Sequence, residues 1–221
     1  MEKNREVTVK GIGNLIVPVD YVEILLTLDE INKDYQKGYE TFQNHIIELQ
    51  EIIQKAGFEK KELKTSEIKI CNKYEHERKE DDYIEVFKGY RFYTSLKLNF
   101  DFDSKKIGKF FSVISNSEVT PKIDVNFTVK DKESVKKALL ANAAKDAKEK
   151  AEILCEAMGV KLGKIITINY NWDEIRIFSP TSYDLDTDKF CKCVALDSSI
   201  DFTPDDITVN DDACFVWEIE D

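Results

Sequence analysis

Histidine is scarce in this 221-residue chain: His45 and His76 are the two present. A Ser/His/Asp or Cys/His nucleophilic site needs an imidazole base beside its nucleophile. His45 falls beside an apolar helical stripe and is expected to be a partly exposed helix residue. His76 sits among Glu75, Glu77 and Arg78 and is expected to be a solvated loop residue. Positive charge is also in deficit, with 32 Lys and Arg against 43 Asp and Glu and a net charge of −11. Phosphate contacts demand at least a local excess of Lys and Arg. The basic pairs Lys60-Lys61 and Lys105-Lys106 are short and have acids around or soon after them. Nucleic acid and anionic membrane surfaces are therefore not expected partners, and the charge is read as solubility. No stretch approaches the ~20 apolar residues of a membrane span. The opening MEKNREVTVKG is too polar for a signal h-region. The expected location is the cytoplasm, or outside it if a native export signal has been trimmed.

Glycine and cysteine patterns fall short of known sites in the same way. Gly11-x-Gly13 resembles the start of a dinucleotide loop, but Ile16 stands where the third glycine belongs and the pair lies between strands. It is read as a hairpin bulge or turn. The five cysteines, Cys71, Cys155, Cys191, Cys193 and Cys214, are odd in number and match no disulfide framework, so reduced thiols are expected. Cys191-Lys192-Cys193 lacks the second spaced pair that a zinc site commonly uses. The carboxylate pairs Asp81-Asp82, Asp205-Asp206 and Asp211-Asp212 show no EF-hand spacing and are read as solvated loops. No residue is assigned a catalytic, cofactor-binding or metal-binding role, and no cofactor is expected.

What is present is patterned. The composition, 42% hydrophobic and 11% aromatic, is that of a globular chain. A chain of this length buries about 70% of its unfolded surface without needing a disulfide or metal. Val7 and Val9 alternate, the glycines interrupt, Pro18-Val19-Asp20 turns, and Val22, Ile24, Leu26 and Leu28 repeat with period two. A helix follows from Asp34 to Ala56, with Tyr35, Tyr39, Phe42, Ile46, Leu49 and Ile53 as its stripe. Gly57 is placed as a left-handed cap, with Phe58 packing back. Leu63 to Tyr74 reads as a strand with Ile68 and Ile70 inward, and residues 75–82 as a charged connection.

Residues 84–130 hold two clean alternating strands. In the first, Tyr90, Phe92, Leu96, Leu98, Phe100 and Phe102 share a face; in the second it is Ile123, Val125, Phe127 and Val129. Between them Asp103 caps a short helix carrying Ile107, Phe110, Phe111 and Ile114. Asp131 caps a long helix to Met158, ended by Gly159, with an unusually small-sided stripe: Val135, Ala138, Leu139, Ala143, Ala144, Ala147, Ala151, Leu154 and Met158. Such residues let a helix approach its neighbour closely. Ile166, Ile168, Tyr170 and Trp172 make another strand, and residues 173–205 read as an irregular excursion. The closing strand carries Ile207, Val209, Ala213, Phe215, Trp217 and Ile219, with a bulge or turn at Asn210-Asp211-Asp212. Tyr83, Phe87, Tyr90, Tyr93, Trp172, Tyr183, Phe190 and Trp217 divide between core and oligomer contact.

The fold class is α+β: a mostly antiparallel sheet with helices on one face, containing a ferredoxin-like β-α-β-β-α-β order over residues 21–130. A long Ala-rich helix and C-terminal strands extend or cover that sheet. The chain reads as one domain, 1–221, with a possible subdivision into 1–130 and 131–221.

In this order, VTVKGIGNLIVPVDYVEI, a helix ending AGF, ELKTSEIKI, GYRFYTSLKL, DSKKIGKFFSVI, ALLANAAKDAKEKAEILCEAMGVKLGKI and TPDDITVNDDACFVWEIE resemble the SIMPL-domain family, a domain of unknown function found in many bacteria. The resemblance implies an often exported periplasmic or surface protein and, from one relative, a ring-like homo-oligomer. It brings no catalytic motif. The expected function is a non-enzymatic structural or interaction protein that self-assembles. The alternatives are an enzyme, hydrolytic or thiol-dependent, and a binder of a small ligand or cation.

Overall fold

The computed structural model describes residues 5–79, 82–171, 174–186 and 202–221. The Trp172, Phe190, Cys191 and Cys193 readings, and that of Asp81, lie outside them. The described residues form two compact units: Asp20–Phe127 with Thr181–Pro204, and Met1–Val19 with Thr128–Pro180 and Asp205–Asp221.

The first unit is built on a five-stranded sheet. Its strands are β2 (Tyr21–Asn32), β3 (Leu63–Lys79), β4 (Asp82–Asp101), β5 (Lys122–Thr128) and β7 (Phe178–Asp186), in the order β3-β4-β2-β5-β7. Helices α1 (Tyr35–Ala56) and α2 (Ser104–Ile114) complete the β-α-β-β-α-β order expected from the sequence. Val22, Ile24, Leu26 and Leu28 meet Phe92, Leu96, Leu98 and Phe100, with Ile123, Val125 and Phe127, in a buried core. Each such side chain contributes about 1.5–3 kcal/mol of transfer free energy.

Helix ends follow the sequence closely. Asp34 accepts from the Lys37 N–H at 3.1 Å. Gly57 is left-handed at φ 100°, its N–H reaching the Gln54 carbonyl while Phe58 N–H reaches Ile53, the paired bonds of a Schellman end. Phe58 then packs on Phe100, ring centroids 4.8 Å apart. Asp103 caps α2 through the Lys105 and Lys106 N–H groups.

Two expectations fail here. Residues 75–79 are strand, not connection: β3 stays paired with β4 out to Lys79 opposite Asp82, and His76 stands opposite Glu85 in that ladder. Ile68 and Ile70 are not inward; they are 57% and 38% exposed. The reason is position. β3 is the sheet edge, and α1 packs on β2 and β4 rather than over it. A strand solvated on both faces shows no burial period, so a charged run reads as loop. Likewise β7 lies inside the stretch expected to be irregular, and it is β7 that extends this sheet.

The second unit holds β1 (Glu6–Val17), α3 (Lys132–Ala157), β6 (Lys161–Tyr170) and β8 (Ile207–Glu220). Its sheet order is β1-β8-β6, so the last strand pairs with the first instead of extending the five-stranded sheet. Asp131 caps α3 through the Ser134 N–H at 2.9 Å, and Gly159 follows at φ 70°. The buried residues of α3 are Val135, Leu139, Ala143, Ala147, Ala151 and Cys155, one strict i+4 row. Leu154 and Met158, expected in the stripe, are exposed; the single buried row packs on β1 and β8.

The glycines also depart from expectation. β1 does not turn or bulge at Gly11 and Gly13, nor β8 at Asn210-Asp211-Asp212. The ladder runs in step with Gly11 opposite Ala213, Ile12 opposite Asp212 and Gly13 opposite Asp211.

Candidate functional site

The glycine pair serves helix packing. A β-carbon on Gly11 or Gly13 would lie 2.0 Å from the carbonyl oxygens of Ala143 and Leu139 respectively, so glycine lets the α3 backbone rest on β1. Polar side chains one turn apart on α3 then meet alternate peptides of β1. Asn142 Nδ2 donates to the Asn14 carbonyl at 3.4 Å, Asp146 accepts from the Ile12 N–H at 2.7 Å, and Lys150 Nζ donates to the Lys10 carbonyl at 3.4 Å. Four helical residues rise ~6.0 Å and two strand residues ~6.8 Å, so the two repeats stay nearly matched over this length. The Lys150 ammonium first, and the Ile12 N–H second, hold the Asp146 carboxyl below its ordinary pKa. The pair Asp146–Lys150 thereby covers the free edge of β1.

Open strand edges invite another strand, and natural sheets blunt them. The edge of β1 is covered as described. β6 is broken by irregularities between Leu162 and Ile165 and between Ile165 and Thr167. β7 carries Pro180, which offers no N–H. β3 has none of these devices beyond its inner end. Its pairing steps irregularly between Thr65 and Glu67, leaving Ser66 extra. From Glu67 to Lys79 β3 runs unbroken; the next irregularity, at Lys73/Tyr74, leaves the extra residue, Lys88, on β4.

The outer part of the β3–β4 hairpin is an arm. Tyr74, Tyr83, Ile84 and Phe87 are exposed on it. On one face a chain of rings runs outward from α1: Tyr39 to Tyr35 at 6.3 Å, Tyr35 to Tyr90 at 5.2 Å, Tyr90 to Phe87 at 5.3 Å and Phe87 to Tyr74 at 5.5 Å. The opposite face is polar. Arg91 donates two hydrogen bonds to Asp29, at 2.7 and 2.6 Å, and lies over the Tyr93 ring. That bidentate pair lowers the Asp29 pKa and raises that of Arg91. Lys88 pairs with Glu77 and, at 3.9 Å, with Glu75.

A second feature is a cleft of about 410 Å³ where the end of β2 meets α1, lined by Glu30, Asn32, Thr41, His45, Phe92 and Glu118 among others. His45 Nδ1 lies 2.5 Å from Glu30 Oε1, both side chains half-buried. Nothing in the sequence reading paired them. The signal was available: Glu30 continues the period of Leu26 and Leu28, which puts it on the helix-covered face, and His45 follows Phe42 of the α1 stripe by three residues.

A family model for SIMPL, a protein of unknown function (DUF541), matches residues 7–214. The chain belongs to the SIMPL family. No curated protein matches it. In this SIMPL chain the matched stretch runs from β1 into β8 and so takes in both units.

Among the described residues the cysteines are not brought to the His45 cleft. Cys71 is exposed on the arm, Cys155 is buried in the inner row of α3 and Cys214 is partly buried in β8. Among the described residues no group of three metal-type ligands forms. Asp211 and Asp212 lie in β8 rather than in a loop: Asp211 accepts from Tyr170 Oη at 2.8 Å and Asp212 pairs with Lys10 at 3.0 Å. Of the aromatics, Trp217 is buried against Phe215, and Tyr183 packs on Phe127. Tyr83 and Phe87 are on the arm. Among the described residues no helix is long and apolar enough to cross a membrane.

Proposed function

We propose that this protein is a non-enzymatic interaction protein that self-associates by sheet extension, β3 of one copy adding to β3 of another. One observation carries the reading: β3 is an edge uninterrupted from Glu67 to Lys79 on an arm with apolar groups exposed, whereas β1 is covered by α3, β6 is irregular and β7 carries a proline. Pairing supplies main-chain hydrogen bonds, and alternate side chains supply selectivity. The test is sedimentation equilibrium across micromolar concentrations, for the wild type and for Ile70→Lys, which puts a charge beside the proposed seam. The expected result is a dimer or larger that the substitution dissociates with circular dichroism unchanged. A wild-type monomer throughout sinks the proposal.

The Glu30–His45 cleft favours a second reading, a small-ligand or hydrolytic site, since polar groups converge there over an apolar floor. Glu30 would fix His45 through Nδ1 and leave Nε2 to meet a ligand. Thermal-shift screening of the wild type against His45→Gln tests it: a compound that raises only the wild-type melting temperature supports this reading, and none doing so removes it.

A further inference from the structure

On the polar face of the five-stranded sheet, Lys69 pairs with Glu67, Arg91 with Asp29 and Lys122 with Asp124. One place breaks this matching. Lys64 of β3 stands directly opposite Lys97 of β4. Like charges so placed destabilise an antiparallel pair. In the ladders that β4 makes with β2 and β3, no other two like-charged residues face each other. On its far side Lys97 faces Leu25. Among the described residues neither lysine forms an ion pair.

Two exposed lysines can point apart into water. These two instead line one cleft of about 510 Å³, together with Lys61, Glu62, Tyr21 and Asn99. The nearby carboxyl groups are engaged or lie outside the lining. Glu62 accepts from the Glu59 N–H at 2.5 Å, and Glu59 pairs with Lys61 at 2.6 Å. Glu67 is taken by Lys69. Glu23 faces Asn99 and Asp101 faces Tyr21 in the β2–β4 ladder, and neither lines the cleft.

We propose that this cleft binds a small phosphate-type dianion between the Lys64 and Lys97 ammonium groups. An anion seated there turns a facing repulsion into a shared contact. Lysine donates as a compact point charge and imposes no planar fork, so a tetrahedral oxyanion suits the pair. The cleft has the size of a small-molecule site, with room beside the anion for an attached organic group. Tyr21 and the lysine stems supply an apolar wall for that group, and the Asn99 amide supplies a further donor. Glu23, Glu62, Glu67 and Asp101 bound the positive patch, so it ends after one anion and offers no track for a nucleic-acid backbone. The site is independent of the self-association reading, because Lys64 lies on the inner side of Ser66, outside the unbroken stretch from Glu67 to Lys79.

Calorimetric titration of the whole chain with inorganic phosphate, above neutral pH and at low ionic strength, tests the site. Saturable one-to-one binding is expected. Lys64→Gln or Lys97→Gln should weaken it about tenfold or more, the scale of a lost charge-assisted hydrogen bond. Lys105→Gln, which removes the same charge from α2, should change it by less than about twofold, as a screened distant charge does. Melting temperatures add a change of sign. In chloride of matched ionic strength Lys97→Gln should melt at or above the wild type, since the repulsion is gone; in phosphate it should melt below. Glycerol phosphate binding more tightly than the inorganic ion would identify an organic phosphate as the ligand, and equal or weaker binding the free ion. A wild type without saturable phosphate binding overturns the proposal, and so does a Lys105→Gln loss as large as that of Lys97→Gln.

Discussion

The carbonyl oxygen of Ala143 occupies the space that a side chain on Gly11 would need, 2.0 Å from its β-carbon position. The neighbour is main chain inside a helix, so it cannot rotate away. Gly11→Ala is expected to destabilise by about 3 kcal/mol or more, at or beyond the usual range for overpacking. Gly159→Ala is the control. That residue is left-handed but has open space around it, so about 1–2 kcal/mol is expected from backbone strain alone. Urea unfolding of the two variants compares them; equal midpoints would show that close packing on α3 is not why Gly11 is glycine.

The Asp146 contact should show in acid. A carboxylate whose folded pKa lies below its ordinary value, 3.8, stabilises the fold fully above that value. The contribution disappears as pH falls through the lowered folded value. Asp29, held down by Arg91, acts in the same direction. Melting temperatures measured between pH 6 and pH 3 should fall less steeply below about pH 4 for Asp146→Asn than for the wild type. Parallel curves would show that the carboxylate on Ile12 carries no linkage.

The caps give a third expectation. Asp131→Ala leaves the Ser134 N–H without its acceptor and should lose about 1 kcal/mol. Asp131→Ser, which keeps an oxygen there, should recover most of that loss in the same denaturation assay.

Arm and core should respond oppositely. Phe87 is exposed on the arm, whereas Phe92, a few residues along the same strand, is fully buried. Phe92→Ala should cost about 3–5 kcal/mol. Phe87→Ser should cost under ~1 kcal/mol, as surface changes usually do, while weakening self-association in sedimentation. A large stability loss from Phe87→Ser would mean the arm belongs to the core.

Legibility in the sequence followed burial. Where one face is covered, as for Leu96 and Leu98 in β4 or Ile107 and Phe111 in α2, periodicity named the element and its inner residues. Caps such as Asp34 and Gly57 were legible because their chemistry is local. β3 beyond Tyr74 was not, since a strand wet on both faces carries no period. The role of Gly11 and Gly13 was hidden because the reason for them lies more than 120 residues away, in the carbonyls of α3. The alanine row on that helix pointed to close approach but not to its partner. The Glu30–His45 pair needed β2 and α1 to be placed in space before the residues could meet.

The partnership of β1 with β8, Glu6 facing Glu218 at one end of the ladder and Val17 facing Ile207 at the other, joins the first described element to the last. Every other described strand and helix is made between β1 and β8, so this sheet closes only after all of them have been synthesised. The same adjacency suits the molecule to circular permutation: a linker from the end of β8 to the start of β1, with new ends cut elsewhere, would leave the ladder intact and let β1 and β8 emerge together.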